Sequence, residues 1–127
     1  MAATAITNTT LEYNKGKEFK VTAAVEDTAD KAEVFAYTPT GKPNKVAFGI
    51  EVAALNGTVK VKFTKAPGVF GSVDLTIDAV QGKTTVVQVE QGRFAQADGT
   101  FAITATPAEG KKLKTDHALK IFAIETV

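Results

Sequence analysis

The sequence predicts an all-β domain, built as an antiparallel β-sandwich or a small barrel of about eight or nine short strands. Three observations carry that prediction. Thr (18), Val (14) and Ile (6) make up 38 of the 127 residues, and β-branched side chains favour a pleated, half-buried backbone. Apolar and polar residues alternate with a period of two through most of the chain. Glycine, proline and asparagine punctuate these runs about every 8 to 15 positions. A chain of this length supports one core, and helix should stay under about 10%.

Residues 1–14 are rich in Thr and Asn, with isolated Ile6 and Leu11, and read as an N-terminal arm or an edge strand. Residues 15–127 read as a single β domain. Phe19, Val21, Ala23 and Val25 alternate with Lys20, Thr22, Ala24 and Glu26, giving a strand with one wet face. The polar break Glu26 to Lys31 suits one helical turn capped by Asp27. Glu33 to Tyr37 is a short aromatic strand, and the prolines in Thr38 to Lys45 make that segment a loop. Val46, Phe48, Ile50 and Val52, then Asn56-Gly57, then Val59, Val61 and Phe63 form the clearest hairpin signal, since a type I′ turn wants Asn-Gly. Lys65 to Ser72 is a loop with apolar Val69 and Phe70. Val73 to Ala79, the turn Gln81-Gly82-Lys83 and Thr84 to Glu90 read as a second hairpin. Gln91 to Thr100 is a loop carrying Phe94, and Phe101 to Ala105 is a strand. Thr106-Pro107-Ala108-Glu109 has the form of a capping box with proline at its first position, followed at once by Gly110, so at most one helical turn fits. Leu119 to Val127 is the last strand, apolar on both faces. As a sandwich, this order suits an Ig-like or a jelly-roll-like topology. Phe48, Ile50, Val61, Phe63, Leu75, Ile77, Val87, Phe101, Ile103 and Ile121 are the expected core.

Several motifs have a chemical reading and a plainer one. Gly82-Lys83-Thr84-Thr85 matches the end of a phosphate-binding loop, but Ile77 stands where the other glycine belongs and a strand follows, so a turn is the better reading. Asp74 and Asp78 share a strand face about 13 Å apart, too far for a glycosidase pair unless Glu90 supplies a nearer cross-strand carboxylate; a solvated face is the expectation. Asp27, Asp30 and Glu33 lack the spacing of a calcium loop. Asp116 and His117 could complete a triad only with Ser72, which has no nucleophile-elbow context, so His117 is expected at a surface or an interface. Tyr13, Tyr37, Phe70 and Phe94 fall outside the clean alternation. They could stack on sugars or anchor a partner, or plug the ends of the sandwich. Lys60, Lys62 and Lys65 line one strand face, where lysine guards against edge pairing.

Composition removes whole classes of function. Lys+Arg is 15 against Asp+Glu 14, and Arg93 is the lone arginine, which argues against nucleic acid and anionic membranes as partners. Cysteine is absent and His117 is the single histidine, so thiolate chemistry, multi-histidine metal sites and histidine relays are excluded. No tryptophan is present, which weakens a carbohydrate platform. The N-terminus has neither a charged nor an apolar signal region and no run of about 18 apolar residues occurs. The expectation is a complete chain made in a cytosol without classical export, whose two N-x-Thr sequons at Asn8 and Asn56 are chance.

What remains is a protein without catalytic residues, metal or cofactor that binds other protein subunits. Ile6 and Leu11 in the arm, and Val69, Phe70 and Phe94 in the loops, are the expected interface. The arm would gain order on another chain's sheet edge. The last strand, apolar on both faces, would have one face covered by a partner. In this whole-chain character the sequence resembles the small decoration (cement) proteins and other minor structural proteins of tailed-phage virions. The resemblance carries over no individual residue. It implies a virion protein, made in the host cytoplasm, that adds to an assembled capsid, often as a homotrimer, and clamps neighbouring capsid subunits. Two other readings are an Ig-like or carbohydrate-binding adhesion module, and a tail-tube or tail-accessory protein that forms rings.

Overall fold

The computed structural model of the chain describes residues 3–40, 45–68 and 73–126. Strands account for 46% of the structure and helix for 3%, so the chain is all-β. The strands are β1 (Thr4–Ala5), β2 (Asn8–Leu11), β3 (Thr22–Ala23), β4 (Glu33–Tyr37), β5 (Lys45–Val52), β6 (Val59–Phe63), β7 (Leu75–Ala79), β8 (Lys83–Glu90), β9 (Phe101–Thr106) and β10 (Leu119–Thr126); a four-residue helix, α1 (Gln91–Phe94), follows β8. Two sheets pack face to face. The first runs β1-β4-β9-β6-β7 and the second β2-β10-β5-β8, with β3 also pairing β10.

The alternation read from the sequence supplies the inner faces. Phe35 and Tyr37 of β4, Phe101 and Ile103 of β9, and Val61 and Phe63 of β6 point inward from the first sheet. Phe48 and Ile50 of β5, Leu119 and Ile121 of β10, and Val89 of β8 meet them from the second. Phe48 is the hub: its ring lies 5.5 Å from Tyr37, 5.3 Å from Phe63 and 5.5 Å from Phe101, all on the opposite sheet. Of the expected core, Leu75, Ile77 and Val87 lie on the edge strands β7 and β8 and are only partly buried.

The pairing differs from the sequence expectation in several places. Neither expected hairpin forms. β5 pairs β10 and β8, whereas β6 pairs β9 and β7, so the Asn56-Gly57 segment carries the chain from one sheet to the other. Of the two turn residues only Gly57 has positive φ (114°), and a type I′ turn needs it at both. Asn56 Nδ2 instead donates to the Asp116 carbonyl (2.6 Å), and the Gly57 N–H donates to Gln81 Oε1 (2.7 Å). The Gln81–Lys83 turn likewise crosses between sheets, from β7 to β8. Alternation requires only that an apolar face meets the core, and two strands facing each other across the core satisfy it as well as two side by side.

The sheets are also mixed rather than wholly antiparallel. β1 runs parallel to β4 and β2 parallel to β10, so the N-terminal segment crosses between the sheets and closes one side of the sandwich. Thr4–Ala5 and Asn8–Leu11 each stand at the end of a sheet's strand order. The strand expected over Phe19 to Glu26 shrinks to Thr22–Ala23 with its faces inverted: Ala24 is buried, while Phe19, Val21 and Val25 are exposed. The helical turns expected at Asp27 and at Thr106–Glu109 are non-helical turns, and α1 stands where a loop was expected.

Candidate functional site

Among the described residues, the polar side chains of Thr9, Glu33, His117 and Glu125 lie deep in the molecule. A buried carboxylate needs a full set of donors, and both glutamates have one. Glu33 Oε1 accepts the N–H groups of Val25 (2.9 Å) and Glu26 (2.8 Å), and Oε2 accepts the Thr4 hydroxyl (2.6 Å). Glu125 accepts the Tyr37 hydroxyl, the Thr40 N–H (3.0 Å) and the Thr40 hydroxyl (3.3 Å). The Tyr37 oxygen is also 2.6 Å from Asn8 Oδ1. Burial, then the neighbouring Glu125 carboxylate, push the Tyr37 hydroxyl well above its ordinary pKa, so it remains a donor. These groups fasten β1, β2 and the chain before β4 to the sandwich. Their acceptors are committed internally, which leaves a structural role.

His117 corrects the expectation of a surface histidine: it is fully buried. Its Nε2 accepts the Ala108 N–H at 3.1 Å, so the proton of the neutral ring sits on Nδ1, which has no partner. Burial pushes its pKa below the ordinary 6.5. Asp116 does not orient the ring; its Oδ2 accepts the Lys112 N–H at 2.8 Å. Ser72 lies outside the described residues.

The other charged motifs resolve into local contacts. Asp78 pairs with Lys60 at 2.6 Å, and Asp74 accepts the Lys65 N–H at 2.9 Å. β7 and β8 belong to different sheets, so Glu90 is no cross-strand partner of Asp78; it lies 3.6 Å from Arg93. β6, which carries Lys60 and Lys62, is an inner strand, so these lysines guard no edge. Gly82-Lys83 is a turn entering β8. Asp30 accepts the Gly110 N–H at 2.5 Å and Asp27 accepts the Thr115 hydroxyl. Among the described residues no group of three or more His, Cys, Asp or Glu side chains could hold a metal ion.

The expected interface residues separate. Ile6 is a core residue, 6% exposed, with its N–H donating to the Ala36 carbonyl at 2.9 Å, so it is corrected from interface to interior. Leu11 ends β2 opposite Thr126 and is partly exposed. The outer face of β10 is covered in part by this chain itself: Phe19 stacks on Phe122 at 4.7 Å, and Phe122 fills the space over Gly49, where a Cβ would overlap the ring. Tyr37 is core and Tyr13 is fully exposed at 81%. Val69 and Phe70 lie outside the described residues.

Phe94 lines an opening that combines apolar walls with charge. Val73, Asp74, Leu75, Arg93 and Phe94 enclose a shallow pocket of about 110 Å³. Its wall is braced. Gln96 Nε2 donates to the carbonyls of Thr64 (3.2 Å), Lys65 (3.0 Å) and Phe94 (3.2 Å), and the Ala66 N–H donates to the Arg93 carbonyl at 2.8 Å. No protein family, curated protein or solved structure matches this chain. Val73 is 72% exposed although apolar, and Leu75 and Phe94 only partly reach the core. The sequence marks Phe94 by its place in a polar loop. It does not mark Val73 and Leu75, whose alternation looks like any strand until β7 is known to be an edge.

Proposed function

We propose that this is a non-enzymatic assembly protein that binds other protein subunits through the end of the sandwich built by Val73, Leu75, Arg93 and Phe94. The observation that carries the reading is the braced pocket, with exposed Val73 at its mouth and Arg93 and Asp74 beside it. An apolar centre with a charged rim is the usual composition of a protein contact. The internal commitment of Glu33, Glu125 and His117 Nε2 supports the same reading, because the groups with catalytic potential are bonded to the fold. In the form that the resemblance to phage decoration proteins implies, the partner is a capsid subunit and the effect is added buried area between neighbours.

Co-sedimentation with empty tailed-phage capsids tests this. The wild-type chain should pellet with the shells, and Val73→Asp, a change at an exposed position, should weaken attachment about tenfold or more while leaving the thermal melt unchanged. A wild-type chain that stays in the supernatant but binds on a glycan array would replace this reading with the adhesion module.

A further inference from the structure

We propose that β8 is a self-pairing edge: two copies of this chain join antiparallel along Lys83–Glu90, about a two-fold axis through Val86, fusing their second sheets into one. The sheet edges are not alike. In the first sheet the edges are β1, with two residues, and β7, with five residues, flanked by Asp74 and bearing the Asp78–Lys60 ion pair. In the second sheet one side is covered by β2, with four residues, and β3, with two. Shortness and charge are the usual protections against edge-to-edge pairing. β8 has neither. It runs for eight residues, its stretch from Thr84 to Val89 carries no charge, proline or glycine, and among the described residues only β5 pairs with it. Its other side presents a row of backbone donors and acceptors to an incoming strand.

The edge is complementary to a second copy of itself in one orientation. Lys83 begins β8 and Glu90 ends it. An antiparallel copy sets the Lys83 end beside the partner's Glu90 end, with the two side chains on opposite faces, so that they attract without pairing directly; a parallel copy sets like ends together. The faces then set the register. Residues opposite each other in an antiparallel pair share a face, and Thr84, Val86 and Gln88 point away from the core. Centring on Val86 places it against the partner's Val86, and Thr84 against the partner's Gln88. Val86 is 62% exposed and lies in register with Gly49, which pairs with Phe122. The pairing thus extends the row Phe122, Gly49, Val86 across the axis and buries the exposed valine. It meets the end pocket only where Glu90 lies beside Arg93, so Val73→Asp and Val86→Lys test the proposed function and this pairing separately.

Sedimentation velocity over a concentration series, joined to cysteine cross-linking, tests the pairing. The chain has no cysteine of its own. The wild type should form a concentration-dependent dimer. Val86→Lys, which sets two like charges face to face, should raise the dimer Kd about tenfold or more with an unchanged circular dichroism spectrum. Val86→Cys should oxidise to a covalent dimer, because opposed β-carbons on neighbouring strands come within about 5 Å. Thr76→Cys on the β7 edge should not, and Val73→Asp should leave the dimer intact. A wild type that remains monomeric up to millimolar concentration overturns the proposal. So does a dimer or trimer that Val86→Lys leaves unchanged, or a Val86→Cys chain that cross-links no better than Thr76→Cys.

Discussion

Phe63 is 1% exposed and its ring meets Phe48 of the facing sheet, so its side chain belongs to the contact that holds the two layers together. Phe63→Ala should cost about 3–5 kcal/mol in chemical denaturation, through lost transfer energy and the cavity left behind. Tyr37 answers a different question, since its oxygen serves Glu125 and Asn8. Tyr37→Phe keeps the ring but strips a donor from a buried carboxylate, and should cost about 1–3 kcal/mol. His117 sets a pH dependence. Its folded pKa lies below the ordinary 6.5, so the unfolded chain takes up the proton first. Its contribution is complete above about pH 6.5 and is lost as pH falls through the folded value. Urea titrations of the wild type from pH 7 to 5 should show falling stability, and His117→Gln should flatten that slope by removing the titrating ring.

At the scale of the element, the N-terminal strands belong to the sandwich. Thr4 bonds Glu33, Ile6 enters the core, and Asn8 to Leu11 pair with β10. Deleting residues 2–12 should therefore destabilise the domain by about 3 kcal/mol or more, from Ile6 burial and the lost hydrogen bonds, read as a shift of the urea midpoint. A truncated chain as stable as the parent would return these residues to the status of a free arm. Gly49→Ala tests the outer face of β5: a methyl there collides with the Phe122 ring and should cost about 1–3 kcal/mol. These elements also show what the sequence can and cannot disclose. The inward residues of β5, β6, β9 and β10 are legible from period two alone, because burial acts on each strand separately. Partner choice is not: the Asn56-Gly57 signal is local, whereas the bonds to Asp116 and Gln81 that hold that segment come from far along the chain. The inverted face of β3 has a similar cause, since Phe19 finds its apolar neighbour in Phe122 on the outer surface, which no local pattern records. His117 reads as polar and hence exposed until its Ala108 acceptor contact is seen. Of the candidate site, Phe94 and Arg93 stand out in sequence by type; the bonds that brace them, from Gln96 to Thr64 and Lys65 and from Ala66 to the Arg93 carbonyl, are tertiary facts.

For the molecule as a whole, the place of β10 matters most. The last strand in the sequence is flanked by β5 on one side and by β2 and β3 on the other. A ribosome delivers β10 after every strand that it joins, so β5 and β8 wait as an unsupported pair while the first sheet, whose strands all precede residue 107, can form. Folding should be slow, on the order of milliseconds to seconds, as expected for a topology closed by contacts distant in sequence. Nascent chains stalled before residues 119–126 have left the exit tunnel should remain sensitive to protease along β5 and β8, and become resistant once those residues are released. Resistance already present in the stalled chain would mean that the second sheet can form without β10.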